Sequence, residues 1–404
     1  MQIVVGTLRS LGLDVVDAGL ATTPTVAMGV LEAKARGGII LSASHNPEEW
    51  NALKLLNETS EFLSPEEGAT VMADAGKTPA PHGDRIGTLT RQNFLDSHIA
   101  AIEALDFIDP SPITARRFKV AVDGINSVGA LALPRLLRRI GVRDDDILLL
   151  NGDLSGRFAH PAEPLPAHLT DTMARTREAG CDLGLVVDPD ADRLALIDEQ
   201  GVYVSEELTQ VIAADFLWRR RAGPFVTNLS SSRAIDDVAR RWGQTVHRSA
   251  VGEINVVRKM QEVGAILGGE GNGGVILPDL HYGRDALAGA AMILQHLAEQ
   301  GSALSTVREA MPRYALSKEK VQLPDPDAAL TRVVSRLGED DAMVSTVDGV
   351  KLDFTHGWVH LRKSNTEPVV RVYAEAATEA GARKLATTYT DRLKASARGM
   401  SRAH

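Results

Sequence analysis

Short apolar runs alternate with amphipathic helical patterns along most of the chain. GIILSAS (38–44), FKVAVDG (118–124), DILLLNGD (146–153), DLGLVVD (182–188), PFVTNLS (224–230) and AILGGE (265–270) have the length and bounding residues of strands. Between them, GALALPRLLRRIG, LTDTMARTREAG and RAIDDVARRWG place apolar residues at helical spacing. The chain opens on VVGTLRSLG, which reads as an amphipathic helix, followed by LDVVDAG, which reads as a strand. Strand–helix alternation of this kind predicts α/β units with parallel or mixed sheets. Several strand runs are apolar without alternation, as expected where both faces of a sheet are covered. The pattern changes near the C-terminus. There VKLDFTHGWVHLRK and VVRVYAEA alternate in the manner of antiparallel strands, with helical patterns on either side, which reads as α+β.

Pro-rich or polar stretches punctuate this pattern at 106–117, 219–224 and 311–327, and the helical lead-in of a third unit begins near Val204. The length, 404 residues, gives a prior of about 2.7 domains. The division predicted here is four: 1–110, 111–203, 204–314 and 315–404.

Composition narrows the class of function. Hydrophobic residues make up 44% and charged residues 24%, values of an ordinary globular protein rather than a disordered or fibrous one. The net charge of −9 argues against a nucleic-acid partner, although a local basic site for a small anion remains open. Cys181 is the single cysteine, so no internal disulfide or thiolate metal site is available, in keeping with a reducing cytoplasm. No apolar run reaches the ~18 residues of a membrane span. The first residues lack the basic, apolar and small-residue order of a signal peptide. The expectation is a cytoplasmic monomer or homodimer with no membrane partner.

Four loops carry candidate chemistry. In LSASHNPEEWNALK (41–54) a strand runs into Ser42, Ser44, His45 and a turn set by Asn46-Pro47. Ligands bind at the C-terminal ends of strands in open α/β sheets, so a serine here is a candidate nucleophile or phosphate carrier. In VVDPDADRLALID (186–198), Asp188, Asp190 and Asp192 alternate after a buried strand and Arg193 follows. Three carboxylates this close repel one another unless neutralised, and can converge on a hard divalent cation such as Mg²⁺. The Gly and Glu of a calcium-binding EF-hand loop are absent at their spacing. In GGEGNGGVILPDLHYGRDAL (268–287), glycines surround Glu270 and Asn272, a carboxylate and an amide able to grip neighbouring hydroxyls. In HLRKSNTEPVVRVYAEA (360–376), Arg362, Ser364, Asn365, Thr366 and Arg371 form an anion cradle suited to a phosphate.

Together these loops resemble the α-D-phosphohexomutase family, which includes phosphoglucomutase, phosphomannomutase and phosphoglucosamine mutase. The resemblance covers essentially the whole chain, and SASHNP with Lys54 and RKSNTEPVVRV are its most specific parts. It implies three similar α/β domains with mixed sheets and a C-terminal α+β domain around a central cleft. It further implies that Ser44 is the serine phosphorylated in the active form. Asp188, Asp190 and Asp192 would hold Mg²⁺ with an oxygen of phosphoserine 44, and Arg193 would sit beside that phosphate. His45 and Lys54 would assist proton transfer and charge stabilisation. Glu270 and Asn272 would contact sugar hydroxyls, and Arg362, Ser364, Asn365, Thr366 and Arg371 would hold the non-reacting phosphate. The implied activity interconverts hexose 6-phosphate and hexose 1-phosphate through a hexose 1,6-bisphosphate.

Departures from the family pattern qualify this. Pro189 and Ala191 stand where the metal loop usually has glycines, and Ala52 replaces a Gly before Lys54. The expectation is that the loop keeps its ligands, because side-chain oxygens do the binding. Gly274 stands where a histidine is common, and His281 is a downstream substitute. The Asn272-Gly273-Gly274 form leans toward glucosamine phosphate as substrate, with glucose or mannose phosphate as the alternative. Family members usually carry a segment before the first helix, so domain 1 is expected to be truncated by about one βα unit of ~30 residues. On that ground a catalytically impaired sugar-phosphate-binding protein is the competing reading.

Overall fold

The computed structural model describes residues 1–44, 46, 50–77, 85–335, 342–364 and 369–398. The strand predicted around 118–124 is Val120–Asp123, an internal strand of a five-stranded sheet. It lies between Ile147–Leu150 and Leu183–Val187, parallel to both. The chain leaves its C-terminal end toward Ile147–Leu150 on one side, whereas it leaves Leu183–Val187 toward Leu194–Asp198 on the other, which makes a crevice between the two strand ends where ligands bind in such sheets. Leu183–Val187 turns back through residues 188–193 into the antiparallel strand Leu194–Asp198, and Tyr203–Val204 closes the edge. Every residue of Val120–Asp123, Leu183–Val187 and Leu194–Asp198 is buried. That is why these runs are apolar without alternation. Gly129, in the helix Gly129–Arg139, lets that helix lie directly on the sheet: a Cβ there would stand 2.2 Å from Val187 Cγ2.

The next unit repeats the plan. Phe225–Asn228 lies between the parallel strands Val246–Ser249 and Leu267–Glu270, and Leu267–Glu270 turns back into Gly274–Ile276. The two hairpins abut, with Leu194 N–H donating to Gly273 O at 3.0 Å. The first unit holds a third hairpin of the same kind, Gly38–Leu41 with Leu53–Leu56. A separate parallel pair, Val15–Asp17 with Leu89–Arg91, completes its strands, and among the described residues no ladder joins the two pairs. The fourth unit is an antiparallel sheet in the order Ala315–Gln322, Val369–Ala376, Gly357–Lys363, Val350–Phe354, Met343–Ser345, with the helices Pro326–Ser335 and Glu379–Arg398 packed on it. The fold is thus three α/β domains with mixed sheets, followed by an α+β domain.

The helix and strand predicted at the N-terminus form as Gln2–Ser10 and Val15–Asp17. Strands are generally shorter than their apolar runs, because the flanking residues turn away to form the loops. One continuous apolar core runs through the second and third domains and takes in Leu95, Ile99, Ile102, Phe107 and Ile108 from the end of the first, whereas Ala27, Val30, Ile40 and Leu56 of the first domain and the sheet of the fourth form separate clusters. Phe216 is fully buried in the shared core, with its ring 5.8 Å from that of Phe107 and 6.0 Å from that of His296. Replacing Phe216 with Ala is predicted to cost ~3–5 kcal/mol. Urea unfolding followed by far-UV circular dichroism checks this, and the loss should move domains 2 and 3 as one transition because they share the core.

Candidate active site

The three hairpins bring their connecting loops together. Ser44, in the first, is buried and adopts a left-handed backbone (φ 50°), with its N–H donating to Ser42 Oγ at 2.9 Å. Its Oγ donates to Asp188 Oδ2 at 2.8 Å, so the candidate nucleophile of domain 1 meets the acidic loop of domain 2. Lys54, on the return strand and paired in register with Ile40, reaches Asp190 Oδ2 and lies 3.4 Å from Asp192 Oδ2. His45 lies outside the described residues.

The acidic loop is built to hold its carboxylates inward. Asp192 N–H and Arg193 N–H both donate to Asp188 Oδ1 at 3.1 Å. Ser127 Oγ donates to the Pro189 carbonyl at 2.5 Å, fixing the loop to the start of the neighbouring helix. Ala191 takes φ 53° and is fully buried, so the turn keeps its left-handed residue without glycine. Such a conformation costs an L-residue energy, and the packing around the loop holds it. One carboxylate oxygen from each of Asp188, Asp190 and Asp192 lies within 4.8 Å of the others. Asp190 Oδ1 and Asp192 Oδ1 are buried without a hydrogen-bond partner. Convergent, unsatisfied, hard oxygen donors suit Mg²⁺, so the residues present fit the cation that the sequence suggests.

Cations from two other domains face this loop. Arg284 Nη2 donates to Asp192 Oδ2 at 2.7 Å, and its other nitrogens lie 3.0 Å from Glu253 Oε2 and Glu270 Oε2. Burial raises the Asp188 carboxyl well above the usual carboxylate range, and its neighbours Asp192 and Asp190 push it further. Burial would raise Asp192 too, but Arg284, then Lys54 and Arg193, overcome it and hold that carboxyl below the usual range. Lys54 is desolvated, yet Asp192 and Asp190 keep it charged, with its pKa raised.

The third hairpin presents Glu270 and Asn272. Glu270 Oε1 accepts from Asn228 Nδ2 at 2.9 Å, and Asn272 Oδ1 accepts the Gly274 N–H at 3.2 Å. Glu270, Asn272 and Arg193 line one cavity of about 330 Å³ together with Arg362 and Arg371 of the fourth domain. Arg362 and Arg371 are cross-strand partners in the antiparallel sheet. Like charges directly opposite one another are destabilising, so the pair is suited to an intervening anion. Asp348 partly offsets the repulsion, accepting from Arg362 Nε at 2.7 Å and from Val251 N–H at 2.9 Å. Arg371 Nε is buried without a hydrogen-bond partner. Ser364 N–H donates to Val369 O at 2.9 Å, while Asn365 and Thr366 lie outside the described residues.

His281 does not act as the substitute suggested by its position. It is buried with Nε2 3.4 Å from Asp285 Oδ2, in a cluster with His98, and is absent from the cavity lining. The imidazole in the lining is that of His360, which bonds to Ser230 Oγ at 2.8 Å and to Asp348 O at 2.6 Å. Reasoning from sequence missed Arg284, Asn228 and Thr23; Thr23 donates its N–H to Asp190 O at 2.9 Å. The only signal for Arg284 was its nearness to the glycine-rich loop.

Comparison with known proteins agrees with this arrangement. Family descriptions match in chain order: phosphoglucomutase/phosphomannomutase alpha/beta/alpha domain I over residues 1–80, domain II over 96–201, domain III over 205–314 and the C-terminal domain over 319–391. A phosphoglucomutase/phosphomannomutase of Thermococcus kodakarensis is 35% identical over 382 residues, covering 93% of this chain and 83% of the relative. A protein of Methanopyrus kandleri named "Probable phosphoglucosamine mutase" is 32% identical, covering 96% of this chain and 85% of the relative. The crystal structure of a phosphoglucomutase/phosphomannomutase family protein from Burkholderia thailandensis shares the fold, with a TM-score of 0.82, 24% identity and coverage of 96% and 84%. With four domains in family order and relatives of this identity over nearly its whole length, the chain belongs to the phosphoglucomutase/phosphomannomutase family and is an enzyme of the mutase class.

Proposed function

We propose that this enzyme interconverts hexose 6-phosphate and hexose 1-phosphate by way of phosphoserine 44, with glucosamine phosphate as its leading substrate. The observation that carries the reading is the Ser44 hydroxyl bonded to Asp188, beside a cleft that also presents two opposed arginines. Asp188, Asp190 and Asp192 are the residues that would hold Mg²⁺ next to Ser44; when bound, the ion neutralises charge on the transferring phosphate. The free hydroxyl of the sugar attacks the phosphorus of phosphoserine 44; the new P–O bond forms as the Ser44 Oγ–P bond breaks. His45 would assist the transfer of that hydroxyl's proton, as the resemblance implies. Lys54, held charged by Asp190 and Asp192, stabilises negative charge rather than acting as a base. The resulting hexose 1,6-bisphosphate turns over in the cleft and returns its other phosphate to Ser44. Arg362 and Arg371, with Ser364, Asn365 and Thr366, grip whichever phosphate is not reacting. Glu270 and Asn272 hold the sugar hydroxyls. Phosphoryl transfer asks mainly for positioning and charge stabilisation, which these groups supply.

The Methanopyrus relative's name supports glucosamine phosphate, as does the Asn272-Gly273-Gly274 loop. The Thermococcus relative's name favours a second reading, glucose and mannose phosphates. Steady-state assays of all three, with catalytic hexose 1,6-bisphosphate, decide between them. The expected result is the highest kcat/KM for glucosamine 6-phosphate and saturable activation by Mg²⁺. The lowest kcat/KM for glucosamine 6-phosphate would contradict the substrate, and activity without saturable metal dependence would contradict the role of the acidic loop. Arg371→Ala removes a charged donor worth ~1.5–3 kcal/mol and should raise KM by about 10–100-fold, read in the same assay.

A further inference from the structure

Four glutamates line the cleft: Glu163, Glu206, Glu207 and Glu270. Three of them have cationic partners. Arg193 lies 3.9 Å from Glu163, Lys318 2.9 Å from Glu206, and Arg284 3.0 Å from Glu270. Glu207 has no ion pair among the described residues, although it is only 5% exposed. Its Oε2 accepts Ser232 N–H at 2.9 Å and Gln210 Nε2 at 3.4 Å, whereas Oε1 accepts no hydrogen bond among the described residues. The carboxyl lies flat against Gly271, between Glu270 and Asn272. A Cβ on residue 271 would stand 2.1 Å from Glu207 Oε1 and 2.3 Å from Cδ, so glycine there is what lets the carboxyl reach the sugar loop.

A buried carboxyl with one unfilled oxygen and no cation is costly unless it is protonated or a ligand supplies the positive charge. The ligand proposed for this cleft already brings a phosphate to Arg362 and Arg371. Lys318 in the same wall is paired with Glu206, so Glu207 itself has no cation in contact among the described residues. We propose that Glu207 is the specificity-determining residue that reads the amino group of an amino-sugar phosphate, pairing its Oε1 with the protonated amine. The inference rests on the mutase reading of the cleft and deepens it by naming the substrate class. Burial lifts the Glu207 carboxyl to about 8, so without ligand it is largely neutral at pH 7. Binding an ammonium ionises it, and the carboxyl's proton passes to solvent. The pair carries the same net charge whether the proton sits on nitrogen or oxygen, so no unpaired ion is left in the wall. A hydroxyl in the same place offers only a neutral hydrogen bond, and an acetamido group carries no charge. Glu270 already has a cation in Arg284, so it can accept neutral sugar hydroxyls but does not lack the positive charge that an ammonium brings.

The test compares glucosamine 6-phosphate with glucose 6-phosphate in the native protein and in Glu207→Gln, which keeps the size and the acceptor for Ser232. The quantity read is the ratio of kcat/KM for the amino sugar over the neutral sugar, which is internal to each protein and insensitive to the fraction folded. Loss of a charged hydrogen bond worth ~1.5–3 kcal/mol predicts a fall in that ratio of about 10–100-fold, carried mainly by KM. A ratio unchanged within about twofold would overturn the assignment while leaving the mutase reading intact. If the native protein turned over neither sugar, the mutase reading would fail separately. Calorimetric titration of the same two phosphosugars would then decide on Glu207, with amine preference lost in the variant upholding the assignment and equal affinity in the native protein overturning it.

Discussion

Three buried carboxylates within 4.8 Å of one another cannot fold on their own terms, and the arrangement of the domains follows from how they are neutralised. Asp188, Asp190 and Asp192 belong to the second domain. The cations that face them come from elsewhere, Lys54 from the first and Arg284 from the third. Without a metal these two side chains hold the loop, and the remaining unsatisfied oxygens of Asp190 and Asp192 are left for an ion. The same contacts bring Ser44 and Glu270 to the acidic loop, since Lys54 sits on the strand returning from the Ser44 loop and Arg284 also binds Glu270. Charge compensation and site assembly are therefore one event.

A repeated piece of topology makes this possible. In each α/β domain one strand ends in a loop and returns antiparallel: Gly38–Leu41 to Leu53–Leu56, Leu183–Val187 to Leu194–Asp198, Leu267–Glu270 to Gly274–Ile276. The three loops carry the serine, the three aspartates, and Glu270 and Asn272, which line the cleft. The chain has placed three different chemistries on one structural position. The fourth domain supplies the contrasting element, the Arg362–Arg371 pair, whose mutual repulsion is relieved partly by Asp348.

Much of this could be read before the structure. The buried strands announced themselves as unbroken apolar runs, and Asp188, Asp190 and Asp192 were conspicuous because carboxylates at that spacing demand a cation. With Pro189 and Ala191 in place of glycines the three carboxylates still converge, since burial holds Ala191 at φ 53° and Ser127 fixes the Pro189 carbonyl. What could not be read were the residues whose meaning depends on tertiary approach. Arg284 lies in no motif, and it matters because it reaches two loops distant in sequence. Glu207 follows Glu206 at a helix start and looks like an ordinary first-turn acid, until packing against Gly271 buries it. His281 misled for the same reason, since its place in the chain says nothing of its turning inward to Asp285.

The central claim is that Ser44, set on the acidic loop, carries the phosphate that the sugar receives. Intact-mass spectrometry after rapid quench tests it directly. Protein incubated with hexose 1,6-bisphosphate and Mg²⁺ should gain one phosphate on Ser44, and a chase with hexose monophosphate should remove it at a rate no slower than turnover. A protein that turns over substrate while Ser44 never gains phosphate, or that gives up its phosphate only to water, would contradict the account.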